Sequence, residues 1–199
     1  MMREILPPPR VAAIVLAAGR SSRFGTDKLR HVLASSNSLL VTTVSLIETL
    51  PCPVTLVVNP ERYHYARVCC APETAVIVAE EAEQGLSASV RAGISACESF
   101  DACLLALADM PFVAAKTLMA LIDAASTSSI IVPVYENEDG ESRRGNPVVF
   151  GRDFYPALCA LEGDVGGREL LNTYAAAVRY VSVEDEGILQ DIDVPDDIP

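Results

Sequence analysis

One pattern limits what this chain can become more than any other. Short apolar stretches rich in β-branched residues recur at 11–17, 54–59, 75–79, 102–108 and 130–134. Runs without polar alternation suit strands covered on both faces, as in a parallel sheet. Between them, 39–50, 61–70, 86–99 and 114–125 mix alanine, leucine and polar residues at helical spacing, so strands and helices alternate. Parallel neighbours need a crossover, usually a helix, so the expected fold class is α/β with helix layers on a mostly parallel central sheet. After residue 134 the rhythm changes. A polar loop at 136–145 leads to a short strand at 147–150, as a hairpin or an excursion from the sheet. Helical pieces at 152–161 and 167–177, a last strand at 178–183 and a short helix after Asp191-Ile192-Asp193-Val194-Pro195 complete the reading.

The 199 residues match one domain, and half of them are hydrophobic, enough to build a packed core. The expected organisation is an N-terminal extension over 1–10 and a single domain over 11–199. Lys and Arg number 15 against 27 Asp and Glu, a net charge of −12. That field repels polyanions, so neither nucleic acid nor an anionic membrane is an expected partner, and any bound anion must be small and locally caged. No apolar run approaches the roughly 20 residues of a membrane helix. The first ten residues carry a Pro7-Pro8-Pro9 tract in place of a secretory pattern, and the expected location is cytoplasmic. Six cysteines without CxxC spacing, and only two histidines, suggest neither zinc nor a thioredoxin motif. Buried reduced thiols are expected instead.

Ligands of open α/β sheets bind beyond the carboxyl ends of the strands, so the loops leaving each strand hold the candidates. The first runs from Leu16-Ala17-Ala18-Gly19 to Lys28. Its two glycines, Gly19 and Gly25, fit neither GxGxxG nor a Walker A loop. Arg20, Arg23, Lys28 and Arg30 face only Asp27 between residues 20 and 30, a local charge of +3 (four minus one). Such a turn is either an anion cage or a solvated basic loop. The second loop, Asp109-Met110-Pro111, places a carboxylate at a strand end, where it would either hold magnesium or cap the next helix. In the third, Gly85-Leu86-Ser87-Ala88-Ser89 opens a helix, so Ser87 and Ser89 would cap it or meet a nucleoside.

Taken in order, these segments resemble one family. They are joined by Arg91-Ala92-Gly93, Arg144-Gly145-Asn146-Pro147-Val148-Val149-Phe150, Gly163-Asp164-Val165-Gly166-Gly167-Arg168 and the Asp191-to-Pro195 motif. The chain is similar, from about residue 11 to 197, to the MobA-like nucleotidyltransferases, nearest their molybdenum cofactor cytidylyltransferase branch. The resemblance implies a Rossmann-like three-layer nucleotidyltransferase fold. It also implies transfer of CMP from CTP to the terminal phosphate of molybdopterin cofactor, with release of pyrophosphate and use of magnesium (Mg2+). By position, Leu16, Ala17, Ala18, Gly19, Arg23 and Lys28 would bind the triphosphate, and Gly85, Ser87 and Ser89 would lie near the base. Asp109 would hold the metal, with Asp193 or Asp191 as second carboxylate or as a helix cap. Asn146, Asp164 and Arg168 would face the pterin. Ala18 stands where the guanylyl branch carries glycine, whereas the stretch 29–40 lacks the Gly-x-Pro turn common in the family.

A phosphate monoester already carries about −1.5 to −2 at neutral pH and needs no base to attack. Positioning and charge neutralisation then dominate, in which Lys28, Arg23 and Asp109 would be the catalytic groups and His31 and His64 bystanders. Alternatives are a GTP-dependent enzyme, an enzyme for another phosphorylated small molecule, and a non-catalytic molybdopterin carrier. The expected partner protein is a molybdenum hydroxylase apoenzyme.

Overall fold

A computed structural model describes residues 8–19, 24–137 and 139–198. Val11–Ala17 forms β1, Val54–Val58 β2, Ala75–Val78 β3 and Ala102–Leu107 β4. Ile130–Glu136 forms β5, Ser142–Arg144 β6, Val148–Gly151 β7 and Val178–Ser182 β8. The sheet runs β3-β2-β1-β4-β7-β5, with β6 beside the far half of β5 and β8 on its other edge. Only β6 and β7 run against the rest, so the sheet is mostly parallel.

Each buried strand feeds two cores, because successive side chains point to opposite faces. In β1, Ala13 and Val15 join one core and Ala12 and Ile14 the other. Against the first face pack α1 (Leu39–Ile47), α2 (Tyr63–Cys69) and α4 (Ala115–Asp123). The second is covered by α3 (Leu86–Ser95), α5 (Tyr155–Cys159) and α6 (Leu170–Thr173). The result is three layers. The break in rhythm after residue 134 is a hairpin and an excursion at once. β5 turns back through β6, and the chain then shifts sideways at Gly145 and inserts β7 between β4 and β5. A side chain at Gly145 would collide with the Ile188 carbonyl oxygen at 2.4 Å, so only glycine permits that shift beneath the C-terminal segment.

Among the described residues no helix is long and apolar enough to cross a membrane. All six cysteines are free thiols, but only Cys97 and Cys103 are buried; Cys52, Cys69, Cys70 and Cys159 are half-buried, which departs from the expected fully buried set.

Candidate active site

Beyond β1 the chain turns at Ala18 and Gly19, and the carbonyls of this turn are tied from behind. The Ala17 oxygen accepts a hydrogen bond from Arg62 Nη1, the Gly19 oxygen lies 3.4 Å from both Arg62 Nη atoms, and Asn59 Nδ2 donates to the Ala18 oxygen at 3.3 Å. Arg62 is 3% exposed. Its charge is met by a two-point contact with Asp27, Nη2 to Oδ1 at 2.8 Å and Nε to Oδ2 at 3.1 Å. A planar trans peptide carries its C=O and N–H on opposite sides. Carbonyls held against Arg62 and Asn59 therefore leave the amides of Ala18 and Gly19 directed the other way, and both residues line a cavity of about 140 Å³. Arg23, together with Arg20, lies outside the described residues.

Asp27 also accepts from Leu29 N at 3.2 Å, opening the single turn Lys28–Arg30, and buried Leu29 fixes that turn to the core. Lys28 extends from it between two carboxylates. Its Nζ is 2.8 Å from Asp109 Oδ2 and 2.8 Å from Asp193 Oδ1. Asp109 stands just past β4. The N-cap of α4 is Ala114, five residues beyond Asp109, and that helix start is tied to Asp185, whose Oδ2 accepts from Ala114 N at 2.8 Å and Thr117 Oγ1 at 2.6 Å. Asp193 arrives through its neighbour Ile192, which is buried and donates its N–H to the Asp109 carbonyl at 3.0 Å. In the final turn, Asp197 accepts from the N–H groups of Asp193 and Val194.

Burial pulls Lys28 toward its neutral form, but the hydrogen bonds and charges of Asp109 and Asp193 outweigh it and hold the ammonium above the ordinary lysine pKa. In Asp109 the balance tips the other way. Burial raises its pKa more than Lys28 lowers it, and the nearby charge of Asp191 adds to the rise. Asp109 Oδ1 is buried with no hydrogen-bond partner among the described residues. That orphaned oxygen, with a second carboxylate on the same ammonium, is a hard oxygen donor set of the kind a small divalent cation accepts together with phosphate. Among the described residues no three acid, histidine or cysteine side chains gather into one metal cage; Asp191 acts on Asp109 through its charge.

The third loop opens α3 beside a second loop. Gly85 has φ +112°, and a side chain there would meet the Gly163 backbone at 2.4 Å. Leu86 N donates to Asp164 Oδ1 at 3.3 Å and Ser87 N to the Gly163 carbonyl at 3.2 Å. Gly85 and Asp164 thus dock two loops together at the start of α3. Ser89 lines the 140 Å³ cavity; Ser87 is fully buried, and its hydroxyl has no partner among the described residues. Next to that cavity, sharing Leu16, Leu86 and Leu107 with it, lies a larger cleft of about 350 Å³. Asn146, Arg168 and Asp191 line this cleft along with Arg144.

The structure adds Asn59, Arg62 and Asp185 to the residues singled out by sequence, and it places Arg144, the first residue of the 144–150 motif, on the wall of the larger cleft. The Asn59-Pro60 pair marks a helix start, but nothing local signals that Arg62 turns inward.

Residues 13–178 match the MobA-like NTP transferase domain. The chain belongs to this family. A nucleoside triphosphate is accordingly the substrate class of this MobA-like protein. The purine catabolism protein PucB of Bacillus subtilis (strain 168) is 29% identical over 95% of this chain and 94% of its own length. A probable molybdenum cofactor guanylyltransferase of Rhodopirellula baltica is 27% identical over 76% and 71%. Crystal structures of Rv0371c from Mycobacterium tuberculosis H37Rv superpose with a TM-score of 0.78 at 28% identity, covering 96% of both chains, and 0.76 at 26% as a manganese complex covering 94% and 95%. The MobA-like fold is thus a Rossmann-like α/β nucleotidyltransferase architecture.

Proposed function

We propose that this MobA-like enzyme transfers CMP from CTP to a phosphorylated acceptor, with molybdopterin cofactor as the first candidate, and releases pyrophosphate. The observation that carries the reading is Lys28 between Asp109 and Asp193, opposite an amide-lined turn whose carbonyls face away. The amides of Ala18 and Gly19 suit triphosphate oxygens, and Lys28 supplies a positive charge where negative charge gathers on the departing pyrophosphate. The acceptor phosphate attacks the α-phosphorus and the bond to the pyrophosphate oxygen breaks. No side chain need remove a proton.

The oxygens of Asp109 and Asp193 would hold a divalent cation, Mg2+ first, which supplies Lewis-acid neutralisation of phosphate charge. The manganese complex of Rv0371c supports that class of ion. Asn146 and Arg168, lining the larger cleft, would orient the acceptor. Ala18, in the position the resemblance ties to the cytidylyl branch, supports CTP. The guanylyltransferase relative favours a second reading, with GTP as donor.

Pyrophosphate release with CTP, GTP and ATP, with Mg2+ or Mn2+ and with molybdopterin cofactor, tests the reading. Turnover with CTP that needs both metal and cofactor is expected. Turnover with GTP alone overturns the donor, and turnover only with other phosphorylated acceptors overturns the acceptor. No turnover with any triphosphate overturns the reaction.

A further inference from the structure

We infer that Arg144 and Arg168 form a binding site for an anionic group, and that this group is the far end of the acceptor. The acceptor's identity as the ligand rests on the nucleotidyl-transfer reading; the anion site itself rests on side-chain placement.

Directly opposed residues of an antiparallel pair lie on the same sheet face. Arg144 pairs with Val134 in β6–β5, and Val134 shares its face with Val132, a member of the core beneath α6. Arg168 stands just before α6, on that same side. Both arginines line a cavity of about 350 Å³ with Val132, Leu171 and Asn172, and no carboxylate lines it; Arg143 also lines it, but it pairs with Tyr135 and so belongs to the opposite face of the strand. Among the described residues, no acid pairs with either guanidinium. The buried Arg62 and the half-exposed Arg152 are instead neutralised internally, by Asp27 and Asp101. In a protein of net charge −12, three arginines on one acid-free cavity, none paired with an acid among the described residues, leave attraction for a small anion uncancelled. The fork geometry of each suits phosphate or carboxylate, and the Asn172 amide adds donors.

The two arginines also wall the larger cleft, whose apolar sides include Leu86, Val148 and Phe150 and which reaches Asp191. A molecule anchored by Arg144 and Arg168 would therefore lie along an apolar trough toward the carboxylates. The acceptor class is a small molecule with an apolar or aromatic body, a phosphate at the reacting end and a second phosphate or carboxylate at the other; molybdopterin, with one phosphate and a neutral pterin, lacks the second anion, so occupancy of this site by the acceptor favours another phosphorylated small molecule.

The test is a calorimetric titration of inorganic phosphate into the full chain, with the triphosphate cavity saturated by an α,β-methylene CTP analogue and Mg2+. Wild type should bind one phosphate. Arg144→Ala and Arg168→Ala should each weaken it about tenfold, the scale of one charge-assisted contact, and the double variant should abolish it. Arg179→Ala, an exposed arginine on β8 outside the cavity, should change nothing, and analogue affinity should stay within twofold throughout. Phosphate binding to the double variant at wild-type strength, or no binding to wild type, overturns the site. In pyrophosphate release, phosphate should compete with whichever acceptor supports turnover. Altered turnover without competition would mark a separate regulatory anion and overturn the assignment to the acceptor. Failure of the analogue to bind wild type would strike the nucleotidyl-transfer reading, while the phosphate titration, repeated without it, still decides the anion site.

Discussion

The two walls of the cleft are built on opposite terms. On the triphosphate side, buried Arg62 ties the Ala17 and Gly19 carbonyls and Asp27 together, and Lys28 is fixed between two carboxylates. On the other side, Arg144 and Arg168 are exposed and await a counter-charge. Groups held before the ligand arrives pay little reorganisation when charge develops, whereas exposed long side chains must be ordered by the ligand itself. The first wall is suited to chemistry common to all substrates of the reaction, and the second to selection among acceptors.

The largest way to break this contrast is Lys28→Ala. Turnover should fall by about 10²–10³-fold, the scale of losing one preorganised charge-stabilising donor, while acceptor KM moves little. A pyrophosphate-release assay that shows a folded variant with normal turnover would remove Lys28 from the chemistry. Arg62→Lys comes next. It keeps the charge but loses the fork, so the loop carbonyls and Asp27 are no longer held by one side chain. Triphosphate KM should rise on the order of tenfold at one lost charged contact, and added guanidinium should restore more activity to Arg62→Gly than to Lys28→Ala.

Protonation sharpens the same contrast. With its pKa raised above 3.8, the ionised Asp109 costs folding stability at neutral pH, and that cost disappears as pH falls through the raised value. Function runs the other way, since the protonated carboxyl is a poor cation ligand. Divalent-metal affinity, measured by titration calorimetry, should therefore decline on acidification through a midpoint above 3.8, and a midpoint at or below 3.8 would contradict this. The smallest effect is expected at Asp185→Ala. Loss of its charge-assisted hydrogen bonds to Ala114 N and Thr117 Oγ1 should cost about 1.5–3 kcal/mol in denaturant melts with turnover preserved, the reverse of Asp109→Asn.

Much of the scaffold was legible in the chain. The β1 run at 11–17 coincides with the strand, because an uninterrupted apolar stretch before a small-residue turn has few other outcomes. Insertion of β7 between β4 and β5 was not, since it depends on Gly145 slipping beneath Ile188, a contact between segments far apart in sequence. In the site, Lys28 and Asp109 stood out by charge and by position after strands. Arg62 did not, because it reads as a polar position on a surface helix; its burial depends on Asp27 and the Ala17 and Gly19 carbonyls, which lie 35 to 45 residues away. The approach of Gly85 to the Gly163 backbone, at positive φ, was not legible either, because it joins loops almost 80 residues apart.

Lys28 and Asp193 meet across 165 residues of chain. A nascent polypeptide therefore exposes its basic turn early in synthesis, but the second carboxylate reaches that lysine only after Ile192 has left the ribosome and wedged into the core. Stalled or clipped products that stop short of this point would carry the sheet, the turn and Asp109 but lack the second carboxylate on Lys28.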